Sequence, residues 1–141
     1  LDEISNSAKG LPVVFPVHPR TRKVMQEIKL SGKSELHLTE PLGYLEFNYL
    51  VERAGAVITD SGGITEETTV MSVPCMTLRN TTERPETVTM GTNELLGTDP
   101  HAIAPAMAKL LSGNWKKGTI PPLWDGHTAE RIIEIISKLS L

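Results

Sequence analysis

The sequence predicts an α/β protein with a doubly wound, mostly parallel sheet of the Rossmann type. Short runs of β-branched residues alternate along the chain with segments of helical periodicity, and this alternation is typical of parallel strands joined by crossover helices. Glycine or proline separates most of these runs, as expected where strands and helices end. With 141 residues, 39% of them apolar, the chain is predicted to form one domain, residues 1–141, with a sizeable core.

The first half of the chain predicts three helices and three strands. The helices are expected at residues 1–8, 20–30 and 44–53, and the strands at residues 13–17, 36–39 and 56–59. Gly10 should end the first helix, because glycine is favoured just after a helix C-terminus. In the second helix the spacing of Val24, Met25 and Ile28 predicts that these side chains face inward.

The second half continues the alternation and then ends in a separate helix. Helices are expected at residues 62–71, 85–90, 100–111 and 128–139, and strands at residues 75–78 and 93–96. Pro85 suits the first position of its short helix, where no backbone N–H is needed. Asp125 is expected to cap the last helix. Because Pro121 and Pro122 separate that helix from the rest, we expect it to lie away from the sheet and to contact something else.

The chain opens inside a helix, without the strand that would normally precede it. We therefore expect one domain of a larger protein, lacking its first βα unit.

Composition excludes several classes of protein. The formal net charge is −3 and no block of Lys or Arg stands out, which argues against a nucleic-acid binder. The single cysteine, Cys75, permits no internal disulfide and is expected to be a small buried residue, as in a protein of a reducing compartment. No membrane span or signal peptide is apparent, so a soluble cytoplasmic protein is predicted.

The most informative segment is an apolar strand that ends in Asp60-Ser61-Gly62-Gly63 and turns into a helix. Glycines let the backbone approach an anion closely, and the first helical N–H groups have no partner within the helix. The helix dipole adds partial positive charge at the same place. One turn later, Glu66 and Glu67 could accept hydrogen bonds from sugar hydroxyls. Together these features predict a nucleotide or nucleotide-sugar ligand.

Each of these features also has a purely structural interpretation. Ser61-Gly62-Gly63 could be only a strand-to-helix turn, for which glycine pairs are common. Glu66 and Glu67 could be first-turn charges that favour the helix dipole. We favour that interpretation for Glu66 and a ribose contact for Glu67.

Six segments, in this order along the chain, together resemble one family. They are residues 15–19 (Phe-Pro-Val-His-Pro), 59–67 (Thr-Asp-Ser-Gly-Gly-Ile-Thr-Glu-Glu), 78–86 (Leu-Arg-Asn-Thr-Thr-Glu-Arg-Pro-Glu), 91–92 (Gly-Thr), 96–99 (Leu-Gly-Thr-Asp) and 124–132 (Trp-Asp-Gly-His-Thr-Ala-Glu-Arg-Ile). This pattern resembles the C-terminal half of non-hydrolysing UDP-N-acetylglucosamine 2-epimerases. The match covers nearly the whole chain. Thr65 departs from it, because a glutamine is common at that position.

The resemblance implies the C-terminal half of a two-domain fold of the glycosyltransferase B (GT-B) type, with the active site between the domains. The family interconverts UDP-GlcNAc and UDP-ManNAc by eliminating UDP to form 2-acetamidoglucal and adding UDP back, with inversion at C2. No metal or redox cofactor is needed. Oriented N–H donors at a helix start would stabilise the charge that develops on the departing phosphate.

The resemblance also assigns roles to residues. It places Ser61, Gly62 and Gly63 on the pyrophosphate, and Glu67 on the ribose hydroxyls.

Three further positions match ligand residues of the family. Arg84 matches an arginine that faces the phosphates or sugar, although an ion pair with Glu83 or Glu86 is the structural alternative. Phe47 matches a residue beside the uracil, although an aromatic residue on a helix is more often part of the core. His18 matches a histidine near a second, allosteric UDP-GlcNAc site, although it could simply cap a loop.

The carboxylates credited with proton transfer in the family belong to parts of its sequence that are absent here, so no catalytic residue is assigned. We expect this chain to bind a UDP-sugar without epimerising it, to act with a missing N-terminal domain, and to form a homodimer in the full-length protein. Two other functions stay open: the donor-binding domain of a GT-B glycosyltransferase, and a non-catalytic domain that senses UDP-sugars.

Overall fold

The computed structural model describes residues 1–27 and 35–139. Its helices are α1 (Asp2–Ser7), α2 (Pro19–Glu27), α3 (Tyr44–Arg53), α4 (Gly62–Val70), α5 (Pro85–Thr89), α6 (Ile103–Leu111) and α7 (Thr128–Lys138). Its strands are β1 (Val13–Pro16), β2 (Leu36–Thr39), β3 (Val57–Thr59), β4 (Cys75–Thr77) and β5 (Asn93–Leu95). The predicted order of helices and strands is confirmed along the described part of the chain.

The strands form two parallel sheets, whereas the sequence predicts one. β1 pairs with β2, with Val13 opposite Leu36. β4 lies between β3 and β5, and Cys75 stands opposite Val57 on one side and Asn93 on the other. Among the described residues, β1 and β3 do not pair with each other.

One core cluster joins the two sheets. Its buried members are Ala8, Met76, Ile103, Ala106, Met107 and Trp115, and Ile4, Val13, Ile58, Leu78, Leu96 and Leu110 pack against it. Trp115 donates its ring N–H to the carbonyl of Thr92 at 2.8 Å, which satisfies the polar atom of this buried side chain. Because Val13 belongs to β1 and Ile58 to β3, both sheets border the same core.

Two packing details of the helices differ from the prediction. Val24 was expected to face inward but is 54% exposed, and no α2 residue whose burial the structure describes belongs to the core cluster. Ile28 lies outside the described residues. The predicted helix 100–111 begins instead as a 3-10 turn over Pro100–Ala102, where Asp99 accepts a hydrogen bond from the His101 backbone N–H at 3.0 Å.

The last helix presents an apolar stripe to solvent. Its exposed apolar side chains are Ile132, Ile133, Ile135, Ile136 and Leu139. His127, rather than Asp125, is the N-cap residue. The Asp125 carboxylate accepts from the His127 N–H at 3.1 Å and pairs with Arg131 one turn into the helix. In the part of the chain that the structure describes, no helix is long and apolar enough to cross a membrane.

Candidate functional site

The start of α4 follows β3 after only two residues, Asp60 and Ser61. Ser61 is the N-cap residue, but its side chain caps no backbone N–H. Its own N–H donates to the Thr59 hydroxyl at 3.0 Å, which holds the turn in place. The first backbone N–H groups of α4 therefore lack a side-chain partner at the end of the helix where the dipole favours an anion.

Open space surrounds the two glycines at this helix start. A Cβ atom added to Gly62 or to Gly63 would meet no atom within 4 Å. Neither glycine has a positive φ, so backbone conformation does not require glycine here. The absence of side chains instead leaves the backbone of the first turn accessible to a ligand.

A buried face of threonines anchors α4 to the protein. Thr65, Thr68 and Thr69 are almost completely buried. Their hydroxyls donate to carbonyls of the same helix, from Thr65 to Gly62 at 2.6 Å and from Thr69 to Thr65 at 2.8 Å. Because these buried hydroxyls are satisfied locally, α4 packs tightly while its first turn stays exposed.

Arg84 reaches α4 from the loop before α5. Its Nε donates to the carboxylate of Glu66, and its Nη1 donates to the carbonyl of Glu83 at 3.3 Å. The hydrogen bond to Glu66 is the main cause that raises the pKa of the Arg84 guanidinium, which is a fixed cation in any case. The structural alternative for Arg84 was an ion pair with Glu83 or Glu86. The partner found is Glu66, for which an interaction with the helix dipole was favoured.

A buried polar network fixes the backbone at Arg84. The Thr77 hydroxyl donates to Asn93 at 2.7 Å, and the Asn93 amide donates to the Thr87 hydroxyl at 3.2 Å. The Thr87 hydroxyl in turn donates to the carbonyl of Arg84 at 2.8 Å. Asn93 and Thr87 are fully buried. Since buried polar groups lose much if left unpaired, this network holds Arg84 to strands β4 and β5.

Gly91 brings α5 close to α4. A Cβ atom there would lie 2.5 Å from the Thr69 hydroxyl oxygen and 2.6 Å from the carbonyl of Thr87. Only glycine permits this approach, which sets the position of the loop carrying Arg84 relative to the start of α4.

The remaining predicted site residues lie in different surroundings. Glu67 is partly buried on α4, and its carboxylate has no hydrogen-bond or ion-pair partner among the described residues. His18 is exposed just after β1, and its Nδ1 accepts from the Arg20 N–H at 3.3 Å. Phe47 is partly buried on α3.

An open, mostly apolar depression also lies against α3. Its lining residues are Leu42, Leu45, Glu46, Tyr49 and Leu50. Phe47 does not belong to that lining, so the depression and the predicted uracil contact are different surfaces of the helix.

A metal site and a nucleophilic cysteine have little support in the described part of the chain. No three His, Cys, Asp or Glu side chains there come together as a metal ion would require. Cys75 is completely buried in β4, as predicted, and burial raises the pKa of its thiol. A buried thiol with a raised pKa is a poor nucleophile.

A family model for UDP-N-acetylglucosamine 2-epimerase matches residues 1–137. The chain belongs to this family. The UDP-N-acetylglucosamine 2-epimerase of Methanococcus maripaludis is 42% identical over 130 residues, which is 88% of this chain and 34% of that protein. These matches confirm the predicted family.

Solved structures of the epimerase family share the fold. The Methanocaldococcus jannaschii UDP-GlcNAc 2-epimerase, crystallised in complex with UDP-GlcNAc and UDP, matches with a TM-score of 0.79 and 37% identity over 97% of this chain. The Neisseria meningitidis enzyme bound to UDP-GlcNAc matches with a TM-score of 0.81 and 34% identity over 96% of this chain. In both cases the chain spans 39% of the solved protein. The predicted fold class, an α/β half of a GT-B-type epimerase, is confirmed.

Within this epimerase-family chain, tertiary structure brings together only part of the predicted site. Arg84 is hydrogen-bonded to Glu66, which lies on the helix that begins with the two glycines. The structure adds Thr87 and Asn93, which the sequence did not indicate and which support Arg84 from the core. The available signal was a polar residue, Asn93, at the start of a predicted strand.

Proposed function

We propose that this chain is the UDP-sugar-binding half of an enzyme that interconverts UDP-GlcNAc and UDP-ManNAc by elimination and re-addition of UDP. The observation that carries the proposal is the uncapped, open start of α4, with a fixed arginine hydrogen-bonded to the same helix. Membership of the epimerase family supports the choice of ligand and reaction.

The pyrophosphate would lie on the first turn of α4. The backbone N–H groups of Gly62 and Gly63 and the hydroxyl of Ser61 would donate to its oxygens, and the helix dipole would favour its charge. Arg84 still has N–H groups to offer, since the described contacts use its Nε and one N–H of Nη1. A guanidinium with free donors suits the oxygens of a phosphate.

These donors would serve the chemistry as well as binding. When the C1–O bond to UDP breaks, negative charge develops on the β-phosphate. Preorganised N–H donors stabilise such charge without having to reorient during the reaction. The same donors would hold UDP in place until it adds back to C1 of 2-acetamidoglucal, while C2 receives its proton on the face opposite to the one that lost it.

The other predicted residues complete the proposed site. The carboxylate of Glu67, which has no partner among the described residues, would accept hydrogen bonds from the ribose hydroxyls, and Phe47 would lie beside the uracil. His18 follows β1, in the other sheet, and would belong to a second, allosteric UDP-GlcNAc site.

The whole protein would contain more than this chain. Groups that move the C2 proton would come from an N-terminal half, the full-length enzyme would be a homodimer, and the product would be a precursor of cell-surface polysaccharide. We place the protein in the cytoplasm, in keeping with its single unpaired, buried cysteine.

The reaction is tested with the full-length protein in deuterated solvent. UDP-GlcNAc should gain deuterium at C2 and be converted in part to UDP-ManNAc, as followed by NMR. The 141-residue chain alone should bind UDP in a calorimeter and leave both sugars unchanged. Transfer of the sugar to an acceptor, without any UDP-ManNAc, would instead identify a glycosyltransferase. Binding without turnover by the full-length protein would identify a sensing domain.

A further inference from the structure

We propose that Lys116 is a positioning residue for the UDP site. Its ammonium group fixes the C-terminal end of α5, so that Arg84, at the other end of this short helix, stays beside the start of α4. The inference rests on the proposed function for the ligand that Arg84 contacts. The position of the Arg84 side chain, however, can be measured without any ligand.

α5 is too short to hold its own position. It consists of Pro85–Thr89, with Arg84 as its N-cap residue. A single turn of helix has little stability by itself, so its position depends on the contacts made at each end. The carbonyl of Val88 lies at the C-terminal end. Val88 follows Arg84 by four residues, which corresponds to about 6 Å along the axis of an α-helix.

The segment that carries the lysine lies across the connection between α5 and β5. This segment, residues 115–119, is here called the strap. The Trp115 ring N–H donates to the carbonyl of Thr92 at 2.8 Å, and the Thr119 backbone N–H donates to the carbonyl of Met90 at 2.8 Å. Trp115 also belongs to the core cluster. The strap is therefore attached at both of its ends, one of them in the core.

A close backbone contact fixes the distance between the strap and the end of α5. A Cβ atom added to Gly118 would lie 2.6 Å from the carbonyl carbon of Gly91 and 2.7 Å from the backbone nitrogen of Thr92. Backbone atoms cannot move aside as the end of a flexible side chain can, so glycine is required for this approach. The lysine side chain therefore extends toward α5 from a fixed backbone.

Lys116 makes the contact that reaches α5 itself. Its Nζ donates to the carbonyl of Val88, at the end of the helix where carbonyls lack partners within the helix and the dipole favours a cation. Among the described residues Lys116 forms no ion pair, and the carboxylate of Glu94 is paired with Lys109. Burial lowers the pKa of the Lys116 ammonium, whereas lysine usually keeps its charge in water. The contact with Val88 is therefore specific, although it partly desolvates the charge.

The position of Arg84 depends on the backbone of α5. The hydroxyl and the N–H of Thr87 both donate to the carbonyl of Arg84, at 2.8 Å and 3.1 Å. The ion pair between the side chains of Arg84 and Glu66 is partly exposed, and such pairs are too weak to hold a helix in place. Since a binding group must be held to within about 0.5 Å of its working position, a shift of α5 would weaken the contact of Arg84 with phosphate.

Three variants of the strap test the inference. Lys116→Met removes the ammonium group and keeps a long unbranched side chain, whereas Lys116→Arg keeps a cation with N–H donors. Lys117→Met is the matched control, because Lys117 is the adjacent residue and is exposed. The first measurement, by nitrogen-15 NMR without ligand, is the rate at which the Arg84 Nε–H proton exchanges with solvent. The second is UDP affinity by calorimetry, for each variant with and without Arg84→Ala.

Lys116→Met should speed exchange of the Arg84 Nε–H proton and weaken UDP binding by about threefold or more, because hydrogen-bonded protons exchange on opening and a displaced cation contacts phosphate less well. Lys116→Arg should restore most of the affinity, and Lys117→Met should change neither quantity. When Arg84 is already alanine, Lys116→Met should weaken UDP binding no further, since two substitutions that act on one contact are not additive.

Unchanged exchange of the Arg84 proton in Lys116→Met would overturn the inference. It would also be overturned by unchanged UDP affinity of Lys116→Met where Arg84→Ala lowers that affinity. An equal loss of affinity with and without Arg84 would have the same consequence, because Lys116 would then act on another part of the protein. If Arg84→Ala itself leaves UDP affinity unchanged, the proposed phosphate contact is wrong, and proton exchange still decides whether Lys116 positions Arg84.

Discussion

The Nε of Arg84 donates a hydrogen bond to the carboxylate of Glu66, although 18 positions separate the two residues in the sequence. Their side chains are 48% and 38% exposed, so solvent screens this ion pair and it contributes little to stability. Its importance is therefore positional. It holds a cation beside the first turns of α4, where the glycines leave the backbone open.

Replacing Arg84 by alanine should weaken binding of UDP by about tenfold or more, because a charge-assisted contact to phosphate is worth about 1.5–3 kcal/mol. The free energy of unfolding should change little, since the side chain is exposed. Calorimetry with UDP measures the first quantity and urea unfolding the second. Arg53→Ala is the matched control, because Arg53 is also exposed and paired with a glutamate, Glu52. Equal affinities of Arg84→Ala and the unaltered chain would remove Arg84 from the site.

The glycines at the start of α4 and at the end of α5 should respond to alanine in opposite ways. Gly63→Ala should leave stability unchanged or raise it by up to about 1 kcal/mol, because the new methyl group meets nothing within 4 Å. It should nevertheless reduce UDP affinity, since the methyl group occupies space beside the N–H groups.

Gly91→Ala should lower the free energy of unfolding by about 1–3 kcal/mol through overpacking, because its Cβ would lie 2.5 Å from the Thr69 hydroxyl oxygen. Thermal unfolding of both variants measures stability, and calorimetry with UDP measures affinity. A Gly63→Ala variant with unchanged UDP affinity would contradict the proposed phosphate position.

Thr87→Val should destabilise the protein by about 1–3 kcal/mol, because the buried Asn93 amide loses its acceptor. It should also weaken UDP binding, since the carbonyl of Arg84 loses one of its two hydrogen bonds from Thr87. Thr89→Val is the control on the same helix. Its hydroxyl is exposed and donates to Pro85 at 3.2 Å, so a change within about 0.5 kcal/mol is expected. Equal effects of the two variants on unfolding would show that the buried network does not support Arg84.

The pKa of Asp125 should be about 2, lowered chiefly by the hydrogen bond from Arg131 and then by that from the His127 N–H. Because the folded-state pKa is depressed, the stabilising contribution is present above the ordinary value of 3.8 and is lost as the pH falls from there toward 2. Carbon-13 NMR titration of the carboxyl group measures this pKa. Arg131→Gln should bring it back toward 3.8. Lys138→Gln, which removes the partner of Glu134 on the same helix, should leave it unchanged.

The two charged neighbours on α4 illustrate where sequence reasoning succeeds and where it fails. The open, glycine-rich start of α4 could be predicted because it consists of consecutive residues whose backbone properties are local. The role of Glu66 could not be predicted, because its partner lies beyond β4 and is reached only when α5 packs against α4. Glu66 and Glu67 are neighbours in the sequence, and only packing directs Glu66 to Arg84 and leaves Glu67 without a partner in the described part of the chain.

By itself the sequence determined the family, the alternation of helices and strands, most of their bounds and the glycine-rich start of α4. These features follow from short-range periodicity, turn residues and motif spacing, which a linear chain displays directly. Tertiary structure alone decided that β1 and β3 do not pair, that Glu66 holds Arg84, and that Asn93 and Thr87 anchor it. Each of these depends on contacts between residues far apart in the chain, whose geometry is set by close packing rather than by local preference.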